Sequence, residues 1–330
     1  MLKLPACHSV ISSEALLPVI NDLYELGNVL ECRFISNGLN DTYTVKSSAG
    51  KYILRIYKAH WRSKADIMFE VEMLNHLSSK GIPASVPIIR RNGECVIELD
   101  AAEGQRFAVL FTYAEGGSSD KIESCGLYGE QVAKMHLALD DFKCGQERFV
   151  LDLNHLLKQP VQSIQRCLLH RPKDMEYLYS TAQLLTKLID EISPMLDWGG
   201  CHGDLHGGNV HFHEESLTHF DFDCGGFGWR AYDISVFLWA KVRGREKEHF
   251  HNERWTNFLE SYQKHKECPP YDLKAIPLFV AAREIWLMGL HTGNSHIWGG
   301  GWQDDHYFNT NLKFLRDWCE EHSIDGTGVQ

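Results

Sequence analysis

The stretch from Cys201 to Phe212, C-H-G-D-L-H-G-G-N-V-H-F, carries the residue types best suited to chemistry in this chain of 330 residues. It contains Asp204 and, five residues later, Asn209, and a second run, H-F-D-F-D, ends at Asp223. A carboxylate can accept a proton from a hydroxyl, and oxygen atoms are the ligands that magnesium prefers. These side chains are the minimal set for handling the phosphates of a nucleotide with magnesium.

The spacing of these residues matches a known division of roles. In kinases of the protein-kinase fold, the catalytic-loop Asp accepts the proton of the substrate hydroxyl, and an Asn five positions later shares the metal with an Asp from the next strand. By position, these roles fall to Asp204, Asn209 and Asp221. Because H-F-D-F-D is predicted to be one strand, Asp221 and Asp223 would share a face. The alternation of side chains along a strand therefore leaves open which of the two Asp residues binds the metal.

A cluster of histidines suggests a rival chemistry. The histidines that lie close together in the sequence are His202, His206, His211, His213 and His219. Together with Asp221 and Asp223 they could form a zinc or di-metal hydrolase site. However, His211 and His213 would share one face of a strand, and no pattern such as H-E-x-x-H is present. A zinc site is the less favoured alternative.

The elements that position this motif begin with a strand-rich segment. Dense β-forming runs predict three strands, Glu31–Ile35, Thr42–Lys46 and Lys51–Lys58, with a turn at Ser36–Asp41 between the first two. A helix follows, and we predict further strands at 86–89, 94–99 and 107–113. Gly116 to Ser119 break the pattern, and helical periodicity begins around residue 127. We therefore predict an α+β protein with a nucleotide-binding lobe over 1–115 and a catalytic, acceptor-binding lobe over 116–330.

One charged pair is predicted between the third strand and the following helix. The helix is expected to begin at Ser63, which with Asp66 resembles a capping box. At 100° per residue, Glu70 falls inside the apolar stripe of this helix. Arg55 shares a strand face with apolar residues and requires an anionic partner there. We expect Arg55 to pair with Glu70 and to orient phosphates, although a half-exposed strand residue is the simpler alternative for Arg55 alone.

The composition disfavours two classes of partner. The chain has 44% hydrophobic and 23% charged residues, as in ordinary globular proteins. Its formal net charge of -11 and lack of a long basic run argue against nucleic acid and membrane partners, because both attract clustered Lys and Arg. The ten cysteines are scattered, as is typical of reduced thiols, and no window approaches the roughly 18 apolar residues of a membrane span. We expect a soluble, cytoplasmic protein.

A segment near the C-terminus, Arg283–Tyr307, combines tryptophans with carboxylates. Aromatic faces and negative charges suit an amine or a quaternary ammonium group. Three glycines at Gly299 to Gly301 predict a loop, and loops often carry function. Any single tryptophan is more often a core residue, and Asp233 upstream is expected only to cap a helix. The candidate acceptor-binding residues are Glu284, Trp286, Trp298, Trp302, Asp304 and Asp305.

These motifs resemble those of the aminoglycoside phosphotransferase and choline kinase superfamily, small-molecule kinases with a protein-kinase-like fold. The pattern H-G-D-L-H-x-G-N, followed by D-F-D, carries the resemblance. It extends over most of the chain, from G-L-N-D-T-Y and Y-I-L-R-I-Y through F-T-Y-A-E-G-G to A-Y-D-I. The resemblance implies a two-lobed α+β fold with an antiparallel sheet in the N-terminal lobe and a mainly helical C-terminal lobe.

The resemblance also implies roles for individual residues. The catalytic base would be Asp204, Asn209 and Asp221 would hold Mg²⁺, and Arg55 with Glu70 would lie near the phosphates of ATP. Arg55 stands where many relatives have Lys, and the histidine of the D-L-H motif is not found in every branch. Neither departure removes the base or a metal ligand.

The nucleotide site would include two further segments. The resemblance implies that adenine lies against the hinge at Phe111, Tyr113 and Ala114. The turn that contains Gly38 and Asn40 is assigned to the nucleotide site by its position.

We expect an ATP-dependent kinase whose acceptor is a hydroxyl of a small, amine-bearing, cationic molecule, such as an aminoglycoside, an amino alcohol or a homoserine-like amino acid. One alternative is a bacterial Ser/Thr protein kinase of the same fold, but the segment between Asp221 and Asp233 is too short for the peptide platform of eukaryotic protein kinases. Another is a nucleotide-binding pseudokinase scaffold, which the presence of the base and both metal ligands disfavours.

Overall fold

The computed structural model describes residues 4–249 and 252–324, which fall into two compact units. The first comprises the residues up to Gly117 together with Phe142–Arg148 and His213–Asp223. The second comprises Ser118–Asp141, Phe149–Phe212 and the described residues from 224 onward. Two short segments from later in the chain thus belong to the first unit. The assignment of nucleotide and acceptor binding to separate lobes stays a prediction.

The first unit is built on a five-stranded antiparallel sheet with the order β1-β2-β3-β5-β4. The predicted meander is confirmed in its first three strands, which pair in chain order. Residues 86–89 form no strand, and only Pro87 makes an isolated bridge, to Phe111. The strands are β1 (Val29–Asn37), β2 (Asn40–Ser47), β3 (Gly50–Tyr57), β4 (Val96–Ala101) and β5 (Gly104–Thr112).

Two helices belong to the first unit, α1 (Ser13–Leu23) and α2 (Lys64–Ser79). The predicted capping box of α2 is confirmed: the Ser63 hydroxyl accepts a hydrogen bond from the Asp66 amide at 3.1 Å, and the Asp66 carboxylate accepts one from the Ser63 amide at 2.9 Å. This cap fixes the start of α2, and the apolar stripe of the helix is buried. Glu70 lies in that buried stripe, as its position in the sequence predicts.

The second unit is mainly helical in its described part. Two of its short strands, β6 (Trp198–Cys201) and β9 (Gly226–Trp229), pair antiparallel. A π-helical turn spans Asn154–Lys158. No described helix of the chain is long and apolar enough to span a membrane. The helices are α3 (Ile122–Ala138), α4 (Gln159–Gln165), α5 (Pro172–Ile192), α6 (Arg230–Val242), α7 (Glu253–Gln263), α8 (Pro270–Gly293), α9 (Ser295–Trp298) and α10 (Asp305–Glu321).

The H-F-D-F-D run differs from its prediction. Two short strands precede it, β7 (Val210–His213) and β8 (Ser216–His219), and β8 ends before either Asp. Asp221 has a φ of 66°, in the left-handed region, and a 3₁₀ turn begins at the next residue. The chain therefore leaves the extended conformation at Asp221, and the two Asp side chains do not alternate along a strand.

Candidate active site

The candidate catalytic loop connects β6 to β7 in the second unit. Gly203 has a φ of 79°, and a Cβ atom there would lie 2.0 Å from the carbonyl oxygen of Cys224, so only glycine fits. The side-chain amide of Asn209 donates to the backbone oxygen of Asp204 at 2.9 Å and to its Oδ2 atom at 3.1 Å. The loop therefore brings together the Asp and the Asn that the sequence predicts to act together, and the Asn side-chain oxygen remains a potential magnesium ligand.

Asp233 anchors this loop, a role that the sequence interpretation missed. The prediction that Asp233 caps a helix is wrong, because it lies inside α6, whose N-cap residue is Trp229. Its buried carboxylate accepts hydrogen bonds from the amides of His202 and Gly203, both at 2.7 Å, and it contacts the Nε2 atom of His136 at 3.0 Å. A lone Asp in the largely apolar run A-Y-D-I-S-V-F-L-W was the signal, since a buried carboxylate requires partners.

The Asp204 carboxylate is held in its ionised form. Burial alone would raise its pKa, but the nearby Arg283 guanidinium, together with His206 and His202, outweighs burial and lowers the pKa of Asp204 below its usual range. Arg283 donates a hydrogen bond from Nη2 to the Oδ1 atom of Asp204. The Nε2 atom of His206 lies 3.4 Å from Oδ2. A carboxylate in this state can accept a proton from a hydroxyl.

In the first unit, Arg55 and Glu70 form the predicted pair. Their Nη1 and Oε1 atoms are 2.5 Å apart, and the Tyr57 hydroxyl donates to the second Glu70 oxygen at 2.7 Å. The guanidinium also lies 4.8 Å from the Phe111 ring centroid and contacts Asp221 at 3.1 Å. Burial would lower the pKa of Arg55, but Glu70 and Asp221 outweigh it and raise that pKa. One guanidinium thus bridges two carboxylates, as its fork of donors allows.

The structure distinguishes Asp221 from Asp223, which the alternation of side chains along a predicted strand did not. Asp223 is buried, and its carboxylate accepts hydrogen bonds from Arg62 and Trp61, both at 2.8 Å, and from Asn40 at 3.0 Å. Burial would raise the pKa of Asp223, yet Arg62 and other arginines hold it below its usual range. By contrast, 46% of the Asp221 side chain is exposed. Protein donors occupy both Asp223 oxygens, so Asp221 fits a magnesium ligand better.

The remaining residues predicted to bind nucleotide are placed as follows. Gly38 is exposed in the β1–β2 turn, and Asn40 directs its amide nitrogen to Asp223. Tyr113 follows the end of β5 and lies below the Lys51 ammonium, 5.2 Å from its ring centroid. Ala114, the next residue, is buried. Their contact with a nucleotide stays a prediction.

The carboxylates of the predicted acceptor site already have protein partners. Glu284 is buried and accepts hydrogen bonds from Trp239 at 2.7 Å and from Arg243 at 3.0 Å. Asp304 caps α10 through the Tyr307 amide. Asp305 contacts His170 at 2.9 Å and Arg171 at 3.2 Å. The structure does not gather these three carboxylates into one cluster.

Two of the three predicted tryptophans contact the same histidine ring. The centroids of Trp298 and Trp302 lie 6.2 and 5.0 Å from that of His291, on the predicted loop and its borders. Burial, Arg243 and Arg283 lower the pKa of His291 to about 4, so this ring is neutral near pH 7. Trp286 is instead buried and donates to the Nε2 atom of His155 at 3.1 Å. Trp302 is 43% exposed, which leaves an aromatic surface accessible.

The zinc site that the histidine cluster suggested as an alternative would need several histidine, cysteine or carboxylate side chains around one metal ion. Within residues 4–249 and 252–324, no group of three or more of these side chains is placed to hold a metal ion.

Comparison with known proteins identifies the family. The phosphotransferase enzyme family matches residues 31–268. An uncharacterized protein of Deinococcus radiodurans is 36% identical over 320 residues, covering 96% of this chain and 93% of its own length. A homoserine kinase of Bartonella henselae is 31% identical over 265 residues, covering 77% of this chain and 78% of its own.

A solved structure supports the same fold. The structure of an amicoumacin kinase, hAmiN, in complex with AMP-PNP, Ca²⁺ and Ami aligns with a TM-score of 0.74 at 22% identity, covering 92% of this chain and 93% of that one. The predicted α+β, protein-kinase-like fold is thereby confirmed. The chain belongs to the phosphotransferase enzyme family and is a phosphotransferase with an alcohol group as acceptor.

Proposed function

We propose that this protein is a small-molecule kinase that transfers the γ-phosphate of ATP to a hydroxyl group of a small, amine-bearing acceptor. The observation that carries the proposal is the catalytic loop, in which an ionised Asp204 is held beside Asn209. The similar proteins named as homoserine kinase and amicoumacin kinase support an acceptor of low molecular weight.

The proposed roles follow the motif spacing. Asp204 accepts the proton of the acceptor hydroxyl, whose oxygen then attacks the γ-phosphorus while the bond to ADP breaks. Asn209 and Asp221 supply oxygen ligands for magnesium, which when bound offsets negative charge on the phosphate oxygens. Arg55, held by Glu70, contributes positive charge toward the phosphates.

For the acceptor, we propose recognition of its amine by aromatic faces. The rings of Trp298 and Trp302 around the neutral His291 offer such faces, and cation–π contact with an ammonium is favourable there. The carboxylates Glu284 and Asp305 are less suited, because each already pairs with an arginine. Homoserine and amino alcohols are therefore the first acceptors to test.

The test is magnesium-dependent ADP release from ATP with homoserine, ethanolamine, choline, hydroxylysine, amicoumacin, aminoglycosides and a generic protein substrate as separate acceptors. We expect one small acceptor to stimulate release and to yield a phosphorylated product by mass spectrometry. Stimulation by the protein substrate alone would replace this proposal with a protein kinase. ATP binding without stimulation by any acceptor would support a scaffold instead.

The bridging role of Arg55 predicts the effect of a conservative change. Lysine carries all its donors on one nitrogen, so Arg55→Lys cannot span Glu70 and Asp221 from two nitrogens as the guanidinium does. We expect the KM for ATP to rise about tenfold, equivalent to about 1.4 kcal/mol. Steady-state kinetics at saturating acceptor measure the change. The matched control is Arg33→Lys, an exposed position on β1, and equal KM values for both variants would refute the bridging role.

A further inference from the structure

We propose that Arg283 is a positioning residue that orients the Asp204 carboxylate for proton transfer. The inference rests on the proposed function, because it assigns Asp204 as the base. Arg283 lies on α8, 79 residues from Asp204 in the chain, and no motif of the sequence marks it. Its guanidinium donates from Nη2 to Oδ1 of Asp204, and its side chain is only 3% exposed.

Arg283 is fixed by contacts on several sides. Its guanidinium carbon lies 4.3 Å from the Trp286 ring centroid and 5.1 Å from that of Trp239, so two indoles flank it. From Nη1 it donates to the Gly203 carbonyl oxygen and the Tyr232 hydroxyl, both at 3.3 Å. Stacking and hydrogen bonds together leave the guanidinium plane little freedom. A fixed donor of this kind defines the orientation of the carboxylate that it binds.

The neighbouring residue Glu284 supports this arrangement. Its buried carboxylate binds the indole nitrogen of Trp239, whose ring flanks Arg283. It also pairs with Arg243, which donates at 2.6 Å to Asn311. Glu284 therefore holds one of the indole walls in place. This explains why a carboxylate predicted to bind the acceptor is instead fully enclosed by protein.

The two carboxylate oxygens of Asp204 have different partners, and we assign them different roles. Oδ1 is engaged by Arg283, whereas Oδ2 lies on the side of Asn209, at 3.1 Å from its amide nitrogen. About a seventh of the Asp204 side chain remains accessible, at 15%. In the proposed reaction Oδ2 takes the proton from the acceptor hydroxyl as the new bond to phosphorus forms and ADP leaves. Arg283 keeps Oδ2 directed toward that hydroxyl without touching it.

The experiment compares Arg283→Ala, Arg283→Lys and the control Arg316→Ala. Arg316 is also an arginine over an aromatic ring, 3.7 Å from the Tyr177 ring centroid, but it is 44% exposed and lies outside the proposed machinery. Each full-length variant is assayed for kcat and for the KM of ATP and of the acceptor, with and without ethylguanidinium. Ethylguanidinium replaces the atoms that Arg283→Ala removes.

Misorientation of a reacting group by about 1 Å can cost about 10²-fold. We therefore expect kcat of Arg283→Ala to fall about 10²-fold while the KM for ATP changes less than about twofold. Ethylguanidinium should restore kcat of this variant by about tenfold and leave the control unchanged. Arg283→Lys, which keeps a buried charge and so preserves folding, should lose about tenfold because it lacks the fork of donors. Unchanged kcat in Arg283→Ala or Arg283→Lys would overturn the proposal.

Crystal structures of the wild type and both variants give a readout that needs no turnover. We expect the Asp204 carboxylate to rotate away from its wild-type orientation in the variants and to return when ethylguanidinium occupies the space in Arg283→Ala. An unmoved carboxylate in the variants would overturn the positioning role even if activity fell. Absence of turnover in the wild type with every acceptor, combined with this rotation, would refute the proposed function while leaving the orientation of Asp204 by Arg283 established.

Discussion

Asp204→Asn should lower acceptor-dependent ADP release by about 10³-fold, within the range that a positioned general base contributes. The amide cannot take the hydroxyl proton at neutral pH, whereas the wild-type carboxylate is ionised beside Arg283. Binding of ATP should persist, because the change leaves the residues of the first unit untouched. The measurement pairs the kinase assay with isothermal titration of ATP, so that a folded but inactive protein can be recognised.

The matched control for this prediction is Asp190→Asn, an exposed position near the end of α5 in the same unit. It should retain wild-type turnover. If Asp204→Asn also kept its turnover, the base would lie elsewhere. A loss of ATP binding together with activity would indicate general unfolding, since removal of the charge leaves Arg283 buried without its anionic partner.

Asp221→Asn should impair the magnesium-dependent reaction and leave stability nearly unchanged, whereas the main effect of Asp223→Asn should be a loss of stability. Asp221→Asn should lower turnover and raise the magnesium concentration needed for half-maximal rate, because a neutral amide is a weaker ligand than a carboxylate. Its melting temperature should change little, since the Asp221 side chain is half exposed and Arg55 keeps its other carboxylate partner, Glu70. Asp223→Asn should instead destabilise the protein by about 3 kcal/mol, because it leaves the buried Arg62 without its anionic partner.

Urea denaturation and the magnesium dependence of turnover separate these outcomes. The informative quantity for Asp221→Asn is the magnesium concentration at half-maximal rate, measured with ATP held saturating. For Asp223→Asn it is the free energy of unfolding, measured without ligand. The assignment would be reversed if Asp223→Asn were stable but no longer responded to magnesium while Asp221→Asn stayed active. Asp223 would then be the metal ligand and Asp221 the structural residue.

Local patterns in the sequence determined the fold class and much of the candidate site. The capping box at Ser63 and the apolar stripe that includes Glu70 depend on residues within a few positions of one another, and helical periodicity fixes their geometry. The candidate catalytic loop is similarly local, because Asp204 and Asn209 are five residues apart and their hydrogen bonds close within the loop. Such short-range geometry can be predicted from spacing alone.

The tertiary structure decided which partners the charged residues have. Asp223 binds Asn40, 183 residues away, and Asp233 binds the amide of His202, 31 residues away. Arg283 on α8 binds Asp204 in the loop between β6 and β7, 79 residues away. Strand alternation and helix caps carry no information about contacts of this kind, because they describe one element at a time. The sequence by itself thus determined the family and the candidate catalytic residues, whereas long-range packing decided which carboxylates are enclosed by donors and which stay accessible.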